Sequence, residues 1–303
     1  MFGENLSKFG GKQIVDFEQG GSLPDPASSI PRIRWEYDSE HELVDLLREV
    51  LNDPNSEQLT GLVIGAFGED MYEEPPSEVL ELLVQSASRL PNLTTFFLGD
   101  MTYEESEVSW IYLTDVSPIW EAFPQLKHVG IRGSNMLSLG EMKLPELETL
   151  VLETGGLPSS VVKEVLAAHL PSLKKLELYL GDSSYGWDGN LDTVLPLIDA
   201  NPFPQLEHLG LRDSEIVDEI CQAIAGKPIL QQLKVLDLSL GTLSDEGAEA
   251  LLAGGGLEHL EKLDLHRHYL SDTMMARFNE LPIEVDMSDP EGPSDERYVA
   301  IGE

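Results

Sequence analysis

The chain has 303 residues, 41% of them apolar and 24% charged, enough to bury a large core in one or two domains. Its 19 Lys and Arg stand against 55 Asp and Glu, and the formal charge of −36 repels phosphate backbones and anionic lipid, which argues against nucleic acid and membrane partners. Cys221 is the single cysteine, so no intramolecular disulfide and no thiolate metal cage can form, and a reducing cytoplasm is the expected location.

The first stretch, "MFGENLSKFGGKQIVDFEQGG", lacks the basic start and apolar run of a signal peptide, and no eighteen apolar residues run together anywhere. Residues 1–58 are expected to form an N-terminal cap. Within them "RIRWEYD" alternates like a strand and "SEHELVDLLREVL" has helical period, together a degenerate repeat unit. From Leu59 onward one pattern recurs: Leu, two residues, apolar, one residue, apolar. Its copies begin at Leu59, Leu93, Leu126, Leu147, Leu173, Leu206, Leu233 and Leu260, at spacings of 21 to 34 residues. The alternation predicts a short strand in each copy, with one face buried. Between copies the period becomes helical. In "PPSEVLELLVQSASRLP" the expected cap is Ser77, the buried stripe Val79, Leu82 and Leu83, and the stop Pro91. In "LSDEGAEALLAG" Ser244 or Asp245 caps a stripe of Ala248, Leu251 and Leu252. A degenerate ninth copy at Val285 and Met287 ends the repeats near residue 288. Residues 289–303 then either fold back as a cap on Tyr298, Val299 and Ile301 or form a free tail for a partner. Repetition of strand, loop, helix and loop predicts an α/β solenoid with parallel strands on its concave face and helices on its convex face.

This spelling resembles that of bacterial leucine-rich-repeat proteins. The later units, "LKVLDLSLGTLSDEGAEALL" and "LEKLDLHRHYLSDTMMARF", are similar to the ribonuclease-inhibitor type. The resemblance implies a curved horseshoe over residues 59–288 and a role in binding other proteins. The family's usual asparagine after each strand is absent, its place taken by residues such as Ser214, Gly241 and His268, and His268 is expected to bond loop backbone there.

No phosphate loop, dinucleotide fingerprint, zinc-helix histidine pair or nucleophile elbow occurs. Cys221 lies on a helical stripe with Ile216, Ile220 and Ile224 and reads as a buried filler. The outward residues of the last three strands are Asp237, Asp264 and Asp286, stacked at about 4.8 Å, with His266 two positions beyond Asp264. Such a ladder could hold a divalent cation or share a proton; the other reading is a solvated polar face balanced by Lys262 and Arg212. Twin phrases, "PQLKHVGIRG" and "PQLEHLGLRD", put His128 and His208, and Arg132 and Arg212, at equivalent outward positions, either as inherited spelling or as paired anion contacts.

The longest strand-to-helix loops carry Tyr72, Tyr103, Trp110, Tyr112, Tyr185 and Trp187 among many carboxylates, and should gather along one edge. Of these, Tyr103, Tyr185 and Trp187 are expected to be exposed, and Trp110 and Tyr112 are candidates for the core. The expected function is a non-catalytic scaffold without cofactor. It would bind a protein or peptide, one with a basic surface, through Tyr103, Tyr185 and Trp187 on the loop edge and Arg132, Glu177, Tyr179 and Arg212 on the concave face. Two alternatives stand beside it: an accessory subunit presenting substrate to a modifying enzyme, and a metal-dependent enzyme using Asp237, Asp264, His266 and Asp286.

Overall fold

Each copy of the repeated pattern becomes a strand, because its last two apolar residues stand two apart, fall on one face, and leave solvent together. In the computed structural model, which describes residues 3–37, 41–68 and 75–301, the chain divides into two compact units. The first comprises Met1–Glu153 with Ala167–Pro171, and the second Thr154–Leu166 with Ser172–Glu303.

In the first unit the strands are β1 (Lys8–Phe9), β2 (Lys12–Asp16), β3 (Ser29–Ile33), β4 (Gly61–Ile64), β5 (Thr95–Leu98), β6 (His128–Arg132) and β7 (Thr149–Glu153). They lie side by side in chain order, parallel except for the antiparallel pair β1 and β2. Three helices, α1 (Leu43–Asn52), α2 (Ser77–Gln85) and α3 (Ser117–Ala122), alternate with the strands and pack on one another in turn. In the second unit α4 (Ser159–Ala167) precedes β8 (Lys175–Gly181), α5 (Leu191–Asp199), β9 (His208–Ser214), α6 (Val217–Ile224) and β10 (Val235–Asp237). The unit continues through α7 (Asp245–Gly254), β11 (Lys262–Asp264), α8 (Asp272–Phe278) and β12 (Glu284–Asp286). Its strands are parallel neighbours in chain order, with Leu236 set between Leu209 and Leu263.

The inward pairs Leu62 and Ile64, Leu176 and Leu178, Leu209 and Leu211, Leu236 and Leu238, and Leu263 and Leu265 are all 1% exposed or less. Cys221 is buried on α6 beside Ile220 and Ile224, and burial pushes its thiol well above the usual range, which suits packing and not nucleophilic chemistry. Ser244 caps α7 as expected, its Oγ accepting from the Glu246 N–H at 3.2 Å. The stripes differ by one position. In α2, Val79, Leu80 and Leu83 are buried and Leu82 is half-exposed; in α7 the buried set is Gly247, Ala248 and Leu251. Ser77 is the first residue of α2 and makes no cap, and the helix gives way to a 3₁₀ turn at Ala87–Arg89, before Pro91.

The N-terminal hairpin has no counterpart in the expected cap. Gly10 and Gly11 both adopt positive φ (55° and 81°), the two-residue turn that joins β1 to β2. Its tip curls over the outward face of the first unit's sheet. Phe9 meets the Phe97 ring edge-on at 5.2 Å, and a Cβ added at Gly10 would lie 2.8 Å from Thr95 Oγ1 and 2.9 Å from His128 Cδ2. Phe97 and Val63, outward residues of their strands, are therefore fully buried under Leu6, Phe9 and Ile14.

Candidate functional site

The outward face of the first unit is covered by its own N-terminal segment. Arg132, expected as a partner contact, is only 8% exposed: its Nε donates to Glu153 Oε2 at 2.8 Å, and its Nη1 donates to the carbonyls of Met101 and Glu4. Behind it stands Asp100, wholly buried, 3.5 Å from Arg132 and 2.8 Å from Arg32, and accepting the Leu6 N–H at 2.9 Å.

In the second unit the outward side chains form one paired network. The Arg212 guanidinium stacks on the Tyr179 ring, 4.6 Å from its centroid, and reaches Asp237 at 3.2 Å and Glu177 at 3.8 Å. Lys175 and His208 each stand 3.0 Å from Glu177 Oε1, although the His208 N–H is not aligned to complete a hydrogen bond. Burial opposes the charge on Glu177, but His208, Lys175 and Arg212 together outweigh it and hold the carboxyl at about 2. Tyr179 and Glu177 are 4% and 6% exposed, so these two concave-face candidates are packed into the sheet surface and do not project from it.

The aspartate ladder keeps the register the sequence implies, Asp237 opposite Asp264 and Asp264 opposite Asp286, and is met by Arg212 and Lys262, but only its Asp286 end is open to solvent. Asp237 and Asp264 are 4% and 8% exposed. Each aspartate closes a local turn by accepting from both the backbone N–H and the side chain of the residue two ahead: Ser239, His266 and Ser288. Lys262 adds contacts at 2.8 Å to Asp264 and 3.5 Å to Asp286. Burial opposes ionisation of Asp264, yet His266 and Lys262 hold its carboxyl well below the usual range; burial raises Asp237 in spite of Arg212. The four metal candidates do not form one set. Asp264, His266 and Asp286 could reach one ion, whereas Asp237 groups with Glu177 and His208. Lys262 already pairs with both carboxylates of the first group, and Lys175 and Arg212 with those of the second, so a divalent cation would have to displace them. His268 is fully buried and bonds loop backbone, taking the Leu270 N–H on Nδ1 and facing the Met287 carbonyl with Nε2, both at 3.1 Å.

Among the loop aromatics, Tyr103 is 57% and Trp110 52% exposed, so Trp110 is at the surface and not in the core. Both line an open cavity of about 430 Å³ together with Glu104, Glu105, Ser106 and Glu107. Tyr112 and Tyr185 are half-buried, and Tyr72 lies outside the described residues. The exposure expected of Trp187 is overturned: it is 3% exposed. Gly189 permits this, since a Cβ there would lie 2.6 Å from the indole, and Asp188 anchors the loop by accepting the Ser159 N–H at 2.6 Å.

A feature absent from the expectations is a pair of buried aspartates. Asp100 stands seven residues after Leu93 and Asp213 seven after Leu206, the same position of the repeat, one in each unit. Both are fully buried, and each grips backbone of a terminal segment: Asp100 Oδ1 takes the Leu6 N–H, and Asp213 Oδ1 takes those of Ala300 and Ile301 at 2.9 Å. The C-terminal segment is further held by Arg297 on Asp218 and by Tyr269, whose hydroxyl bonds both the N–H and the carbonyl of Tyr298. Val299 is buried.

Burial pushes the Asp213 carboxyl up to about 8, against the Ala300 and Ile301 N–H groups, Arg267 and Arg212. A raised carboxyl means that the folded state holds a proton the unfolded state has lost. Its contribution is therefore complete below the ordinary value of 3.8 and is lost as pH rises through about 8. Asp213→Asn keeps the carbonyl acceptor and tolerates the left-handed φ of 51°. The variant is expected to lose less stability than wild type between about pH 5 and about pH 8. Thermal melts across that range check it; parallel pH profiles would mean Asp213 titrates as an ordinary carboxyl.

No helix among the described residues is long and apolar enough to cross a membrane. No protein-family model and no curated protein matches the chain. Among solved structures, it is similar to a Bacteroides fragilis protein, with 33% identity and a TM-score of 0.83, covering 90% of this chain and 77% of that one. An internalin from Listeria monocytogenes aligns over 78% of this chain and 76% of its own at 16% identity, but its TM-score of 0.32 carries no argument. With in-register parallel strands, alternating helices and this likeness together, the chain has the α/β repeat fold expected of a leucine-rich-repeat protein and belongs to the same family as the Bacteroides fragilis protein.

Proposed function

We propose that the chain is a non-catalytic, cytoplasmic scaffold that binds a protein with a basic surface through its acidic, aromatic loop edge. The observation that carries this reading is the pair Tyr103 and Trp110, each more than half exposed and set around one cavity with three glutamates. Large aromatics kept at a polar surface offer contact area at low entropic cost, and the surplus acid speeds encounter with a cationic partner. Tyr185 extends the same chemistry in the second unit; Trp187 supports its loop from within. Arg132 in the first unit, and Glu177, Tyr179 and Arg212 in the second, are paired and packed, and each set stiffens its own unit's sheet in place of making primary contacts.

The immobilised chain should retain a protein from lysate of its own host in a salt-sensitive manner. The double variant Tyr103→Ala, Trp110→Ala should retain at least tenfold less, since an aromatic at the centre of an interface is worth about 2 kcal/mol. Equal retention by the two proteins would remove this edge as the binding face.

A further inference from the structure

Resting on the reading of this edge as a binding face, we propose that the cavity beside Tyr103 and Trp110 receives an arginine side chain of the partner protein. The chain from Leu90 to Leu126 contains no Lys or Arg and carries six carboxylates: Asp100, Glu104, Glu105, Glu107, Asp115 and Glu121. Asp100 is consumed internally by Arg32 and Arg132. Glu105 is held in place by its own turn, Oε2 accepting the Thr102 N–H at 2.7 Å and Thr102 Oγ1 at 3.0 Å, and its other oxygen stands 3.8 Å from Arg34. Glu104, which is exposed, and Glu107, whose Oε1 takes the Tyr103 hydroxyl at 3.4 Å, supply the negative charge at the cavity.

The site is stiff before any ligand arrives. The 102–106 turn closes on itself through Glu105 N to the Thr102 carbonyl at 3.1 Å, and the Tyr103 N–H is tied to the Gly3 carbonyl at 2.8 Å. Gly3 is needed there, because an added Cβ would lie 2.8 Å from that of Tyr103.

Two aromatic rings beside carboxylates attract a cation, and three features favour guanidinium over ammonium. It is planar and can lie on a ring face; its fork can reach a carboxylate with two N–H groups at once; and it gives up hydration more readily in a cavity that stays open to water. The second unit contains the same chemistry satisfied internally, with Arg212 stacked on Tyr179 and ion-paired with flanking carboxylates.

The probe is the peptide acetyl-Gly-Gly-Arg-Gly-Gly-amide, titrated into the full chain while the Trp110 indole resonance, assigned by comparison with Trp110→Phe, is followed by NMR. Saturable movement of that resonance is expected, with the citrulline peptide, a neutral isostere, binding roughly tenfold more weakly. Glu107→Gln should weaken the arginine peptide several-fold without moving the melting temperature. No movement, or equal binding of the citrulline or lysine peptide, overturns the assignment. If the peptide fails while the Tyr103, Trp110 double variant still loses the host partner, the edge reading stands and arginine alone is wrong. If the host partner ignores that double variant, the edge reading falls and the arginine site with it.

Discussion

Leu236→Asp is expected to unfold the second unit. The side chain is fully buried, its strand is flanked on both sides, and its neighbours in register are Leu209 and Leu263, equally buried. With leucine in register on both neighbouring strands, a carboxylate there gains no partner from either position. Burying an unpaired charge there costs several kcal/mol, against a total stability of about 5–15 kcal/mol for a typical domain. Leu236→Ile, which keeps the volume, should cost less than about 1.5 kcal/mol. Thermal melting by circular dichroism separates the outcomes. If the Asp variant melts like wild type, Leu236 faces solvent and the whole strand register is shifted by one.

Asp100→Ala should be the most damaging polar substitution. Asp100 lies between Arg32 and Arg132, which are 7% and 8% exposed, and it also holds the Leu6 N–H. Removing one partner of a buried ionic cluster costs about 3–5 kcal/mol, because the remaining charge is stranded. Here the lower end applies, since Arg32 keeps Asp16 at 2.6 Å and Arg132 keeps Glu153 at 2.8 Å. The loss has a local signature. With Leu6 released, the hairpin that covers Phe97 and Val63 should open, and limited proteolysis should cut near residues 4–12 well before global unfolding. Asp100→Asn retains an acceptor for Leu6 and should fall between the two. A variant that resists protease as well as wild type would show that the apolar packing of Leu6, Phe9 and Ile14 holds the hairpin without Asp100.

The repeats were legible because burial and spacing are local. An apolar residue at every second position, restarted by a leucine, specifies a half-buried strand whatever its neighbours are. The strands duly begin within the copies that start at Leu59 through Leu260, and Val285 stands beside Leu263 in the last. The hairpin left one readable signal, Gly10 and Gly11 between two short extended stretches, but nothing local says that it will curl over Phe97.

Sequence by itself determined the repeat register, the inward leucines, the place of Cys221, the backbone role of His268 and the stacking of Asp237, Asp264 and Asp286. These arise from period and from one-dimensional position. Only the tertiary structure decided which polar groups are satisfied. Trp187 is drawn inward because Gly189 leaves room for its ring, while Trp110 stays out beside Tyr103. Asp100 and Asp213 read as ordinary acidic residues, yet they are buried and grip the two ends of the chain. That grip joins residues about 90 positions apart, and no local pattern encodes it: a buried carboxyl group must find hydrogen-bond partners, and which backbone arrives to supply them is settled by the path of the folded chain.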